Sequence, residues 1–455
     1  MSVSAPGDAT TEGQRPAADR SFADSLSAAL SPITDRLRIL EVDTRMLGML
    51  GALLIIWVGF NILSGGTFLS PRNLWNLSVQ SASIAIMATG MVLIIVSRNI
   101  DLSVGSMLGF LGYTMAMIQA VWIPNDLGFG HEQPWIWIIT LILGIALGFF
   151  VGGLQGFVVA YAGVPSFIVT LGGLLVWRGL IFRYAQGQTI APMESTFQML
   201  GGGTVGTRVG ALGEWPSWTV GLVICLAIVY LQIASRRRRS RYGFPVRPRW
   251  AEGLVGAVSC GIVLAVVWVA NSYPLPVNVA IAYAEEHGIS VPPGGLFIPT
   301  GVAFPVVLML IVTLVVTFLA TRRRFGRYVY AIGGNPDAAS LAGINVRRTI
   351  MLTFALMGAL AAISAAVQTA RLNAAVTNLG IQNELDVISA AVIGGTSFSG
   401  GIGTVPGAIL GAVVMQSLRS GMVLLLVDSP TQDIVVGIVL VVAVGLDTLV
   451  RRRSR

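Results

Sequence analysis

Polar residues set within long apolar sequence are where this chain can do chemistry, and three segments qualify. The first is Arg98-Asn99-Ile100-Asp101-Leu102-Ser103-Val104-Gly105-Ser106. An aspartate at the centre of a membrane helix costs on the order of 2.5–3.5 kcal/mol on insertion scales, so Asp101 implies a structural or functional return. Either a chain break lets Asp101 and Ser103 cap the following helix, or the pair faces a substrate. Arg98 either pairs with Asp101 or marks the inner membrane boundary. The second segment is Ile393-Gly394-Gly395-Thr396-Ser397-Phe398-Ser399-Gly400-Gly401-Ile402-Gly403-Thr404. Its glycines argue against a continuous helix. Non-helical backbone at membrane depth survives only where it is buried in protein or lines a cavity, and broken helices recur at transporter binding sites. The other reading is a short loop at the inner surface. Thr396, Ser397, Ser399 and Thr404 offer neutral hydrogen bonds there, while Glu384 and Asp386 read as helix-start acids. The third segment, residues 325–344, ends in a locally specified short helix. Asn335 is a good N-cap, Pro336 suits the first helical position, Asp337 the first turn, and Gly343 a terminator. It is either a knob for a groove on a partner or a plain interfacial loop.

Other chemistry is excluded by composition. All 29 basic residues are Arg, so a P-loop or a pyridoxal Schiff base has no lysine to use. Only two histidines and two cysteines are present, His131, His287, Cys225 and Cys260, and no metal, cofactor or catalytic cluster is expected. The cysteines lie in apolar stretches and read as core thiols.

The elements that must position these segments are membrane helices. Of 455 residues, 54% are hydrophobic and 11% charged, against roughly 25% charged in soluble domains. The expected fold is all-α, a polytopic transmembrane bundle of about 10–12 spans with both termini cytoplasmic. A polar tail over 1–45, with a short surface helix near Thr34 to Arg45, precedes a membrane domain over 46–450 and a basic tail over 451–455. Spans are expected at Met46–Leu63, Leu74–Ser97, Leu102–Val121, Thr219–Ala234, Leu254–Ala270, Phe297–Ala320 and Thr349–Ala370, with two or three more before Arg451. The charge-free stretch Trp135–Trp177 would make about 65 Å of helix, twice a bilayer core, so it must hold two spans broken near Gly163-Val164-Pro165. With the N-terminus inside, 23 of the 29 arginines fall in inner segments, in keeping with the positive-inside rule. The arginine runs sit beside spans, which favours topology and lipid headgroups over nucleic acid. Gly144, Gly148, Gly152 and Gly156, then Gly105 and Gly109, then Gly407 and Gly411, put small residues on single helix faces for close packing.

Asp337-Ala338-Ala339 with Gly343 resembles the EAA signature of ABC importer permeases, with Asp in place of Glu and without the usual downstream Leu-Pro. Tyr330 through Asn335, Gly343-Ile344, Ile100 through Ser106, Pro165 through Gly172 and Gly394 through Ser397 are similar to the monosaccharide branch of those permeases. An added segment near 186–296 resembles the longer, xylose-type subunits. This resemblance spans about residues 45–450. It implies a multi-pass subunit of a bacterial plasma membrane that pairs with a second copy of itself and conducts a monosaccharide, such as the pentose xylose, inward by alternating access. An extracytoplasmic sugar-binding protein would deliver the substrate. A separate cytoplasmic ATPase would grip Asn335, Pro336, Asp337, Ala338, Ala339, Ser340, Leu341, Gly343 and Ile344. A neutral sugar needs neutral hydrogen-bonding partners and an aromatic face, so Thr170, Thr396, Ser397, Ser399 and Trp177 are expected to line its path, together with Asp101 and Ser103 from the polar break. The rivals are an ion-coupled secondary sugar transporter, for which Asp101 is the one good acid, and a membrane-embedded enzyme, for which no acid or histidine cluster is found.

Overall fold

The computed structural model describes residues 44–131, 133–292 and 296–453. Nearly all of the expected N-terminal tail and its surface helix, and residues 454–455 of the basic tail, lie outside them. Sixteen helices follow one another: α1 (Thr44–Leu63), α2 (Pro71–Val96), α3 (Val104–Met117), α4 (Ile136–Tyr161), α5 (Ser166–Ala185), α6 (Ser195–Met199), α7 (Glu214–Arg241), α8 (Arg249–Asn271), α9 (Val277–Glu286), α10 (Phe304–Arg322), α11 (Arg324–Gly334), α12 (Pro336–Leu341), α13 (Val346–Leu372), α14 (Asn383–Ile393), α15 (Val405–Leu424) and α16 (Ser429–Arg453). A π-helical stretch, Ile118–Asp126, prolongs α3. One small antiparallel hairpin pairs Thr204–Val205 with Arg208–Val209.

Among the described residues, ten helices are long and apolar enough to cross a membrane. The break in the charge-free stretch falls where expected: Gly163 adopts φ +72° and α5 starts directly after Pro165. Several boundaries differ: α7 runs beyond Thr219–Ala234 at both ends, α8 starts before Leu254, and two further shifts have a visible cause. The third span runs on to Asp126 because the π-helical register carries the chain past Pro124. The span expected from Phe297 begins only at Phe304, since the residues before it are extended and bridge across to Pro274 and Gly213. In the C-terminal quarter, α14 has 11 residues, about 16 Å, too short to cross alone.

The described chain divides into two compact units, residues 225–261 and the remainder from Thr44 onward. In the smaller unit α7 and α8 form a hairpin in which Arg236 pairs with Glu252, and Cys225 and Cys260 each face the other's carbonyl. These thiols are half-buried, not the core residues the apolar sequence suggests, because they sit on the seam of a two-helix hairpin.

The larger unit is built around α2. Its most apolar window is 94% buried, whereas that of α1 is 6% buried, so α2 is a central post and α1 faces outward. Lipid supplies no hydrophobic push between helices, so stability comes from close contact. The glycine faces provide it. Gly148, Gly152 and Gly156 receive the backbone of α13 at Gly358, Phe354 and Met351, and Gly144 receives Met115. Gly105 and Gly109 receive the turn at Gly380 and Leu379, and Gly407 and Gly411 receive the end of α14. A Cβ at Gly152 would strike the Phe354 carbonyl, while one at Gly153 would meet only Ala355 at an ordinary 3.6 Å. Gly152→Ala should therefore cost about 1–3 kcal/mol. Thermal unfolding of the detergent-solubilised protein should show a clear drop for Gly152→Ala and none for Gly153→Ala.

Candidate functional site

At one end of the larger unit the segment after α10 folds back as the amphipathic α11, with Gly326, Val329, Ile332 and Gly333 inward. The short α12 follows. Asn335 caps it, its Oδ1 accepting from the N–H groups of Asp337 and Ala338, each at 3.0 Å. Its other end closes with Gly343 at φ +80°, where Gly343 N–H donates to Ser340 O and Ile344 N–H to Ala339 O. Those two bonds satisfy carbonyls that a helix end leaves bare, and only glycine adopts this φ without strain. The helix is thus specified locally, as the sequence indicates. Ala339 packs inward, while Asp337, Ala338, Ser340 and Leu341 face out, Leu341 at 91% exposure. The result is a rigid knob with an unpartnered apolar tip.

Directly before the knob, three backbones meet. The Val96 carbonyl at the end of α2 accepts from Gly401 N–H at 3.0 Å, and Gly333 lies so close to both that no side chain fits. Tyr330 Oη donates to Gly403 O at 2.7 Å, and burial pushes the Tyr330 phenol above its ordinary pKa. Arg98 sits at the centre. Its Nε donates to Gly333 O and its Nη2 to Gly334 O, both at 2.7 Å. Arg98 therefore caps the end of α11 rather than pairing with Asp101. It does so from a left-handed backbone, φ +63°, that costs a non-glycine residue about 1–2 kcal/mol. Hydrogen bonds to a charged group contribute about 1.5–3 kcal/mol each, enough to hold it there.

Asp101 and Ser103 lie in the turn that follows. Asp101 Oδ1 accepts from Ser103 N–H at 2.9 Å and from Ser103 Oγ at 2.6 Å. Ser103 Oγ also lies 3.1 Å from Gln155 Oε1, and it makes no capping bond of its own to α3. So the aspartate shapes the break, and the serine ties it to α4. Thr170 Oγ1 donates to Ser166 O at 2.9 Å, with Ile100 O at 3.3 Å, and the Trp177 ring packs tilted against Phe110, centroids 5.4 Å apart. Asp101 Oδ2, Gln155 Nε2 and Trp177 Nε1 are buried without a hydrogen-bond partner among the described residues. Of the glycine-rich hydroxyls, Ser397 and Ser399 bond each other at 2.7 Å, and Thr396 is buried with a bare Oγ1.

Asp101, Ser103 and Trp177 thus surround Gln155, while Thr396, Ser397 and Ser399 stand in the glycine-rich loop, and none of the seven residues expected to line a path lines the polar cleft of the bundle. That cleft, about 220 Å³, lies among α2, α13, α14 and α15. Each helix contributes polar residues three apart, hence on one face: Gln80 and Ser83, Gln368 and Arg371, Asn383 and Asp386, Gln416 and Arg419. Gln368 Nε2 donates to Ser83 Oγ at 2.8 Å and Gln416 Nε2 to Gln80 Oε1 at 2.7 Å. Arg419 donates through Nε and Nη2 to Asp386, and its Nη1 stands 3.6 Å from Asp433 on α16. Asn383 Nδ2 is left without a partner. Amides, paired charges and a free donor around a small volume suit a single neutral ring bearing hydroxyls. The volume is below the roughly 300–1,000 Å³ of drug-sized sites. No lining residue is aromatic. The repeated three-residue spacing of polar side chains within apolar helices was the signal in the sequence for this cleft. Reading Asp386 as a helix-start acid missed it, because its partner Arg419 lies on another helix.

A bundle of long apolar helices around a polar cleft, with a capped knob at the end of an internal helix, defines a membrane transport subunit. Residues 73–444 match the family described as branched-chain amino acid transport system / permease component, and the chain belongs to it. It is 38% identical over 420 residues to the xylose transport system permease protein XylH of Escherichia coli (strain K12), covering 91% of this chain and 94% of that one. It is 35% identical over 411 residues to XylH of Haemophilus influenzae (90% and 98%). Against the ribose import permease protein RbsC of Escherichia coli (strain K12) it is 29% identical over 396 residues (87% and 91%). No solved structure matches at a significant level.

Removing one partner of the cleft's ion pair strands a charge. Arg419→Ala should destabilise the protein by about 3 kcal/mol or more, and Arg419→Leu combined with Asp386→Leu should recover most of that. Thermal midpoints of the single and double variants in detergent check this.

Proposed function

We propose that this chain is the permease subunit of an ATP-driven importer for a monosaccharide, a pentose such as xylose. The observation that carries the reading is the 38% identity to XylH along almost the whole of both chains. The subunit sits in a bacterial plasma membrane with both termini inside, its membrane domain over 46–450 between two polar tails. It works as a pair of identical copies, receives sugar from an extracytoplasmic binding protein, and catalyses nothing itself. A chain without lysine has no P-loop, so nucleotide is hydrolysed by a separate ATPase.

The ATPase grips the outward face of α12, with Leu341 as the apolar tip in its groove. Nucleotide-driven closure of the ATPases moves α12, and the helices around the cleft change the side to which it opens. Sugar hydroxyls exchange their water partners for Gln80, Gln368, Asn383 and Gln416. Gln80, Gln368 and Gln416 already bond neighbouring side chains while Asn383 Nδ2 is bare, so at all but that donor the sugar competes with internal hydrogen bonds and is held weakly. Weak holding suits a path that must release its cargo in every cycle.

Deleting 337–342 should abolish co-purification with the ATPase while the bundle stays folded, and uptake into proteoliposomes should vanish with it. Gln80→Ala and Gln416→Ala, which leave α12 untouched, should keep ATPase binding and lower xylose uptake by about tenfold per lost hydrogen bond to the sugar. Uptake that persists without ATP and follows a proton or sodium gradient would overturn this reading.

A further inference from the structure

The knob on which an ATPase pulls and the cleft through which sugar passes are separate places, and something must join them. We propose that Arg98 is the positioning residue that makes this join. It would carry displacement of the α11–α12 junction into the α2–α3 break and the glycine-rich loop. This rests on the reading of α12 as the ATPase contact.

The argument begins with placement. Gly333 and Gly334 are the last residues of α11, and Asn335 is already the cap of α12, so the two carbonyls that Arg98 grips are the last before the knob. Both bonds are short, 2.7 Å, and come from one planar guanidinium. A fork of that kind holds direction as well as distance, which a lysine ammonium does not. On its other side the arginine is continuous with the break. It lies three residues from Asp101, whose carboxylate forms the turn into α3. Its stem packs against Gly400, so the glycine-rich loop is seated on the same side chain.

Packing then decides where movement goes. Gly333, Val96 and Gly401 approach with no side chain between them, so this contact has little slack to absorb a shift. The break at 97–103 is different. Ser97, Arg98 and Asn99 still bond back to α2, but beyond them Ile100 N–H turns to Ser166 Oγ and Ser103 N–H to Asp101 Oδ1, and Asp101 Oδ2, Gln155 Nε2 and Trp177 Nε1 are buried without partners among the described residues. On one side α2 leads from this node to Gln80 and Ser83. On the other the loop leads into α15 and so to Gln416 and Arg419. Two walls of the cleft therefore leave from the residue that grips the knob.

The test uses the complete transporter, permease with its ATPase and binding protein, in lipid. Amide hydrogen exchange is followed with and without a non-hydrolysable ATP analogue, alongside xylose moved per ATP hydrolysed. In the wild-type complex, nucleotide should change exchange in 335–344, 97–103 and 397–404 together. In Arg98→Ala and Arg98→Lys the change in 335–344 should persist, while the changes in 97–103 and 397–404 disappear. Sugar moved per ATP should then fall about tenfold, within the usual range for coupling between sites. Arg98→Lys keeps the charge, so it reports on the fork should Arg98→Ala fail to assemble. If Arg98 only stabilises the fold, uptake and ATP turnover fall in proportion and their ratio is unchanged, which overturns the proposal. So does a full nucleotide response at 97–103 in either variant. If nucleotide leaves 335–344 unchanged even in wild type, it is the reading of α12 that fails.

Discussion

Inside a bilayer no water is available to satisfy a polar group, and the rest of this structure follows from that constraint. Backbone must be helical wherever it faces lipid, which is why the long apolar runs become helices with few internal breaks. Where the backbone does break, at 97–103 and 394–404, the loose groups turn to other protein groups. Val96 O accepts from Gly401, Arg98 takes the Gly333 and Gly334 carbonyls, and Ser397 N–H finds Ile402 O. The two breaks and the end of α11 satisfy one another, and so they form one node. Their meeting is a consequence of accounting for hydrogen bonds in a dry medium, and it also places the mechanically useful parts of the chain in one spot.

The same medium removes the hydrophobic push that drives packing in water. Helices here gain contact through glycine faces, and contact of backbone on backbone is stiff. The seam of α4 on α13 and the seat of α15 on α14 are both of this kind. Stiff pairs move as bodies. Flexible response is then confined to places where polar groups have alternatives: the break around Asp101, and the cleft with its pairs of amides. The division between rigid seams and adaptable polar pockets is what a gate requires.

How much of this was legible in the sequence follows from the range of each interaction. The knob was legible to the residue, because Asn335, Pro336 and Gly343 act within eight positions of one another and need nothing from the rest of the fold. The spans were legible because length and hydropathy are local. The boundary before Phe304 was not, since the extended stretch is held by bridges to Gly213 and Pro274, far away in sequence. Nor was Arg98, which bonds a residue 235 positions away. The path-lining hydroxyls were chosen because they interrupt apolar sequence. Several of them interrupt it to shape turns, and their hydroxyls are spent on neighbouring atoms. The cleft was the most demanding feature. Each of its polar pairs is unremarkable alone, and only the fold brings four of them to one volume.

The internal bonding of those pairs bears on how the cleft works. A site made of free donors and acceptors would hold sugar well and would leave buried groups unsatisfied whenever it emptied. This one mostly satisfies itself when empty: Gln416 on Gln80, Gln368 on Ser83 and Arg419 on Asp386, with Asn383 Nδ2 left bare. On the proposed reading a passing polyol replaces mostly bonds that already exist, so the free energy of the occupied and empty states stays similar. That flatness keeps the cargo from being trapped. It also means that the direction of travel is not set in the cleft, and must be imposed by whatever changes the helices around it.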